Sequence, residues 1–119
     1  MTEGLGFGPD ARLLDRADFR AVFKEGQKTV GKWLILWHRA GPADRAPRLG
    51  LSVSSKVGGA VRRNRLKRLL RETFRLRRAQ LAEGLSVVAY PRPGCPWTSR
   101  ADAERDFLEL LKRAGLLRA

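Results

Sequence analysis

From Leu13 onward the chain switches between two hydrophobic periods, about 3.6 and about 2 residues, and the switches mark its elements. Asp15 can cap a helix whose core-facing residues would be Phe19, Val22 and Phe23, with Gly26 just past its end. Phe19 and Phe23 stand four apart and share a face; as aromatics on a short helix they read as core. Trp33 to His38 is apolar and β-prone and predicts a strand. Gly41, Pro42 and Pro47 make Arg39 to Pro47 a loop or hairpin connection. Leu49 to Ser54 alternates, so Leu49, Leu51 and Val53 face one way and Gly50, Ser52 and Ser54 the other. That second face is small and polar, with room for something to lie across it. Ser55 to Gly59 turns the chain, and helical spacing returns from Gly58 to Arg78. Leu85 to Tyr90 predicts another strand, reached through a helix of a length that suits a parallel crossover. Pro91 to Pro96 is a loop by its prolines. Ser99 or Thr98 then caps a last helix with Phe107, Leu108, Leu110 and Leu111 as its buried stripe.

The order helix, strand, strand, helix, strand, helix predicts an α/β (α+β) fold, a small two-layer sandwich of one mixed sheet and about three helices. Helices on one face of a three- or four-stranded sheet would leave the other face open as a cleft. The default hand for the strand–helix–strand crossover is right. Residues 1–12, rich in glycine, predict a flexible N-terminal segment, and 13–119 a single domain. No repeat or second domain is visible.

Charge changes this picture most between Gly58 and Arg78, where Glu72 is the only acid among a crowd of Arg and Lys. At about 100° per residue, Leu66, Leu69, Leu70, Thr73 and Phe74 fall on one side of the helix. Asn64, Lys67, Arg68, Arg71, Arg75 and Arg78 fall on the other, with Arg65 at its edge. Arg62 and Arg63 lie nearer the apolar side, where they can reach solvent only from the first turn. Like charges three and four apart repel, and a polyanion would relieve that strain. Over all 119 residues, 25 Lys+Arg against 12 Asp+Glu give a formal charge of +13. A chain so basic associates with nucleic acid or an anionic surface. No apolar run approaches the roughly 20 residues that span a bilayer, so no membrane partner is expected. One cysteine, Cys95, and one histidine, His38, build neither a disulfide framework nor a zinc site, which fits an intracellular protein.

Autonomous catalysis is not indicated. The acids are scattered at positions suited to caps and helix surfaces, His38 sits at a strand end, and the GxxxxGK[ST] phosphate loop is missing. No catalytic residue and no metal ligand is assigned; Asn64 alone is too little for a cation site. Any part in catalysis would need reactive groups from a partner.

The ordered combination Arg48-x-Gly50-Leu51-Ser52-Val53-Ser54, Lys56-Val57-Gly58, Ala60-Val61, Arg63-Asn64-Arg65-x-Lys67-Arg68-x-x-Arg71 and Phe74 closely resembles the bacterial ribonuclease P protein subunit. Asp18-Phe19-x-x-Val22-Phe23-Lys24-x-Gly26 resembles the same family's N-terminal helix. The resemblance runs strongly from about Leu13 to Phe74 and more loosely beyond. It implies a left-handed crossover in place of the default. It also implies a cytoplasmic ribonucleoprotein in which a large RNA, using Mg2+, cuts the 5′ leader from precursor tRNA. The partners implied are that catalytic RNA and precursor tRNA, with no obligate protein partner. By the same resemblance, Arg63, Asn64, Arg65, Lys67, Arg68 and Arg71 would meet the catalytic RNA. Phe19, Phe23, Trp37, Arg48, Ser52 and Lys56 would line a cleft for the single-stranded leader, which gives the phenylalanines a stacking role beside the core one. Trp37 stands where the family often has tyrosine, which keeps a stacking surface. Ser55 stands where it often has lysine, which removes one phosphate contact.

Two other classes share the composition. A structural RNA-binding protein, such as a small basic ribosomal protein, is separated only by the motif. A helix-turn-helix DNA binder is opposed by the strands and by arginines that suit backbone more than base edges.

Overall fold

The computed structural model describes residues 15–42 and 45–117. The N-terminal segment 1–12, expected to be flexible, lies outside the described residues. Helix α1 spans Arg16–Glu25, and the Asp15 carboxylate caps it by accepting from the Asp18 amide at 2.8 Å. Gly26 ends it because the next turn of chain leaves no space. A Cβ there would lie 2.4 Å from the Val22 carbonyl oxygen and 2.5 Å from that of His38.

Four strands follow: β1 Gln27–Val30, β2 Leu34–Arg39, β3 Arg48–Leu51 and, after helix α2 (Ala60–Arg77), β4 Ser86–Pro91. Helix α3, Arg100–Ala114, closes the domain, with the Ser99 hydroxyl accepting from the Asp102 amide at 3.3 Å. Of the two caps allowed by the sequence, Ser99 is used. The sheet order is β1-β2-β4-β3. β1 and β4 both run antiparallel to β2, while β3 and β4 are parallel neighbours joined through α2. This is the mixed sheet and crossover unit expected from the element order.

Three boundaries differ from expectation. β1 was not foreseen, because Gln27–Val30 is an exposed edge strand with no apolar alternation to betray it. Pro91 belongs to the end of β4, opposite Leu34, and not to the loop that follows. β3 stops at Leu51, although the Ser52 amide still donates to the Ala89 carbonyl at 3.0 Å.

The two faces of the sheet are covered unequally. Leu34, Leu36, Leu49, Val87 and Ala89 point into the main core, where they meet Leu66, Leu70 and Phe74 of α2 and Ala103, Phe107, Leu110 and Leu111 of α3. The polar side of the α2 wheel is outside this core, as its periodicity requires. Trp97, in the loop after β4, is also fully buried, and its indole donates to Asp106 at 2.7 Å. On the opposite face Val22 of α1 packs against Val88, with Phe19 and Trp37 alongside. That face is therefore half covered by α1, where the sequence alone suggested an open one. Val22 is buried as expected, but Phe23 is 43% exposed and is not a core residue.

Candidate nucleic-acid interface

The α1 side carries a strip of aromatic rings. The Phe19 and Phe23 centroids lie 5.9 Å apart, Phe23 and Trp37 4.9 Å, and Trp37 and Tyr90 6.0 Å. The last two pairs meet edge to face, and Lys28 stands 5.7 Å from the Trp37 ring centroid. Helical spacing supplies the phenylalanines. β-alternation supplies Trp37 on β2 and Tyr90 on β4, brought together by the register that pairs Trp37 with Val88 and Ile35 with Tyr90. Neither Tyr90 nor Lys28 was singled out from sequence. Tyr90 is on the expected strand, but only the strand pairing shows that it extends the strip. Lys28 is on the unforeseen edge strand.

The polar residues expected beside these rings divide. Lys56 is exposed in the 3-10 turn Ser55–Val57 that follows β3, with its amide donating to the Ser54 hydroxyl at 3.0 Å. Ser52 is half-buried at the end of β3. Arg48 is committed elsewhere: its guanidinium pairs with Asp18 at 2.6 Å and reaches the Ser86 hydroxyl at 3.5 Å. It therefore acts as a strut between β3 and α1, with a charge already matched.

On the other layer, the cations of α2 also fall into two groups. Arg62, left able to reach solvent by the sequence reading, instead turns under the loop after β4. It donates to the carbonyls of Cys95 at 2.5 Å and Trp97 at 2.7 Å. Arg65 donates to the Thr98 carbonyl, Arg75 pairs with Glu72, and Arg77 pairs with Glu104. By contrast, Asn64, Lys67, Arg68 and Arg71 have no hydrogen-bond or ion-pair partner among the described residues. Arg63 is half-buried, with its Nε buried and unpartnered. Five of the six expected helix residues are thus available side chains on one rigid element. The sixth, Arg65, is partly spent on the fold.

Among the described residues two groups able to act as nucleophile or base, His38 and Cys95, are both buried. His38 is buried beside Leu34 and Leu36 on the core-facing side of β2, 3.5 Å from the Thr29 hydroxyl, and burial lowers its pKa. Burial raises that of the Cys95 thiol, which keeps it protonated. Among the described residues no group of three or more His, Cys, Asp or Glu is placed to hold a metal ion. Nor is any described helix long and apolar enough to cross a membrane.

Comparison with known proteins agrees with this anatomy. The family model described as Ribonuclease P matches residues 7–115. The ribonuclease P protein component of Brevibacillus brevis is 36% identical over 107 residues, covering 90% of this chain and 85% of that one. The protein of the same name from Dictyoglomus thermophilum is 40% identical over 89 residues, covering 74% and 72%. Among solved structures, the Thermotoga maritima RNase P protein superposes with a TM-score of 0.76 at 35% identity, over 86% of this chain and 96% of that one. The Staphylococcus aureus RNase P protein gives 0.78 at 25% identity, over 90% and 97%. With the family match spanning nearly the whole described domain and the fold the same, the chain belongs to the ribonuclease P protein family.

Proposed function

We propose that this chain is the protein subunit of a cytoplasmic ribonuclease P ribonucleoprotein, promoting removal of the 5′ leader from precursor tRNA by a catalytic RNA. One observation carries the reading. The available cations Lys67, Arg68 and Arg71 and the aromatic strip Phe23–Trp37–Tyr90 lie on opposite layers of one sheet, so two RNAs can be held at once. On the α2 layer, fixed cations replace counterions along the catalytic RNA. On the α1 layer, bases of the single-stranded leader stack on rings that do not read sequence, as suits an enzyme with many precursor substrates. Lys56 meets leader phosphate near the end of β3, Ser52 lies along its path, and the Arg48–Asp18 pair fixes how far α1 stands from the sheet.

The chemistry belongs to the RNA partner, which holds the Mg2+. The described residues do not group to fit that ion. Glu72 on the basic helix and Glu104, which pairs with it, are engaged by Arg75, Arg77 and Arg100, and Asp102 and Asp106 by Thr98, Trp97 and Arg105. That leaves Asn64 as a lone neutral donor, where the ion favours carboxylates and water. No further protein partner is needed for the two surfaces to act.

Purified chain is expected to cleave no RNA by itself. Added to the catalytic RNA, it should lower the magnesium needed for cleavage and tighten capture of leader-bearing precursor over mature tRNA. Cleavage by the protein alone that survives nuclease treatment and repurification would overturn the reading. So would recovery of ribosomal RNA, in place of the catalytic RNA, with protein isolated from cells.

A further inference from the structure

Between α2 and the start of α3 runs a groove of about 590 Å³, lined by Val61, Asn64, Arg65, Arg68 and Leu69 on one side and Thr98, Ser99 and Arg100 on the other. Its volume falls in the range of about 300–1,000 Å³ typical of small-ligand sites. Two features make it unlike the rest of the basic face. It brings an arginine of α3 opposite two of α2, and it includes an apolar side chain, Val61, that is 86% exposed. Nothing in the core explains Val61, which sits in the first turn of the most polar helix of the chain.

The groove is built, not fluid. Arg65 bridges it by donating to the Thr98 carbonyl, while its Nε and Nη1 keep no described partner. Arg62 holds the same loop from beneath through Cys95 and Trp97. Arg100 is steadied by Glu104 at 2.9 Å, and Arg68 is unpaired among the described residues. The amides at the start of α3 are not the attraction. Asp102 already accepts from the Thr98 amide at 3.0 Å, and Ser99 caps the helix. What remains is an apolar surface framed by guanidinium groups, which is complementary to a base with its phosphates on either side.

We infer that this groove receives a single nucleotide turned out of the stack of the catalytic RNA, its base against Val61 and Leu69 and its phosphates at Arg65, Arg68 and Arg100. The inference rests on the reading of α2 as the catalytic-RNA surface and makes Arg100, on α3, part of that surface. Single-stranded and extruded nucleotides are the usual targets of protein side chains on RNA, since the paired major groove is closed to them.

Val61→Ala and Arg100→Ala test it, because both side chains are exposed and both variants should melt with the parent protein. Binding is measured against the ribonuclease P RNA transcript as a function of salt. Val61→Ala should weaken binding roughly threefold to tenfold with the salt slope unchanged, as for lost apolar contact. Arg100→Ala should reduce the slope by about 1, as for one lost phosphate contact. Unchanged affinity in both variants, while Lys67→Ala still weakens binding, would overturn the groove and leave the helix face standing. A loss confined to the precursor-to-mature tRNA ratio would assign the groove to the substrate and overturn the inference as well. If the parent protein binds this RNA no more tightly than an unrelated structured RNA, the functional reading fails first.

Discussion

The two faces of the sheet have the same strands but opposite economies. Toward α2 and α3 the largest aromatics are enclosed: Phe74, Trp97 and Phe107 are fully buried, and even an arginine is drawn into fixing the fold, with Arg62 tied to the carbonyls of the loop after β4. Toward α1, the fully buried hydrophobic side chains among the described residues are Val22 and Val88, and Phe23 is left 43% exposed among rings that touch at their edges. Stability is concentrated on one side and accessible aromatic surface on the other. An open aromatic face is tolerated when its neighbours across the sheet already secure the domain.

Substitutions on the two faces should therefore separate. The largest effect is expected at Trp97, where replacement by Ala removes the largest fully buried side chain and takes the indole donor from the Asp106 carboxylate, leaving it Arg105. A loss of roughly 3–5 kcal/mol of stability should follow, read by denaturant melting. At temperatures where the variant stays folded, its preference for precursor over mature tRNA should be intact. A change in that preference without loss of stability would dissolve the distinction between the faces.

Phe23→Ala makes the opposite test. With nearly half its surface in solvent, the side chain should cost little stability on removal. Binding of precursor should weaken by about 1–3 kcal/mol for each base that stacked there, and mature tRNA should be unaffected because it has no leader. A fall in melting temperature with an unchanged precursor-to-mature ratio would return Phe23 to a structural role.

The smallest expected effect belongs to His38, the polar residue at the end of the closed face. Burial favours its neutral form in the folded chain, so its pKa lies below the ordinary value. Above an ordinary histidine pKa of about 6.5 both states are neutral and the full stability is present. As pH falls below that value the unfolded chain takes up its proton first, and stability declines until the folded chain titrates too. Replacing His38 with Gln should flatten that part of the stability profile. A profile identical to the parent's would show that burial does not govern its titration.

Periodicity was enough to place α1, α2 and α3, because an amphipathic helix records its buried side at every turn. Leu66, Leu70, Thr73 and Phe74 are buried where the 3.6-residue spacing puts them. The ordered motif from Arg48 to Arg71 was enough to name the family, since it fixes residue types that a solvated helix has no reason to combine. β1 stayed hidden because an edge strand needs no apolar face, and Trp97 because a proline-rich loop has no period from which to read burial.

What the sequence by itself determined is the inventory: a basic amphipathic helix, alternating strands, and aromatics at helical and strand spacing. Only the tertiary structure decided how that inventory is spent. Whether an arginine is free or bound to a carbonyl depends on which loop passes within reach, as for Arg62 and Arg65. Whether Phe23 is core or surface depends on how α1 sits on the sheet, which Gly26 permits and the Arg48–Asp18 pair holds. These are contacts between segments far apart along the chain. Local spacing cannot encode them, because each is settled by the geometry of a partner that the local sequence does not contain.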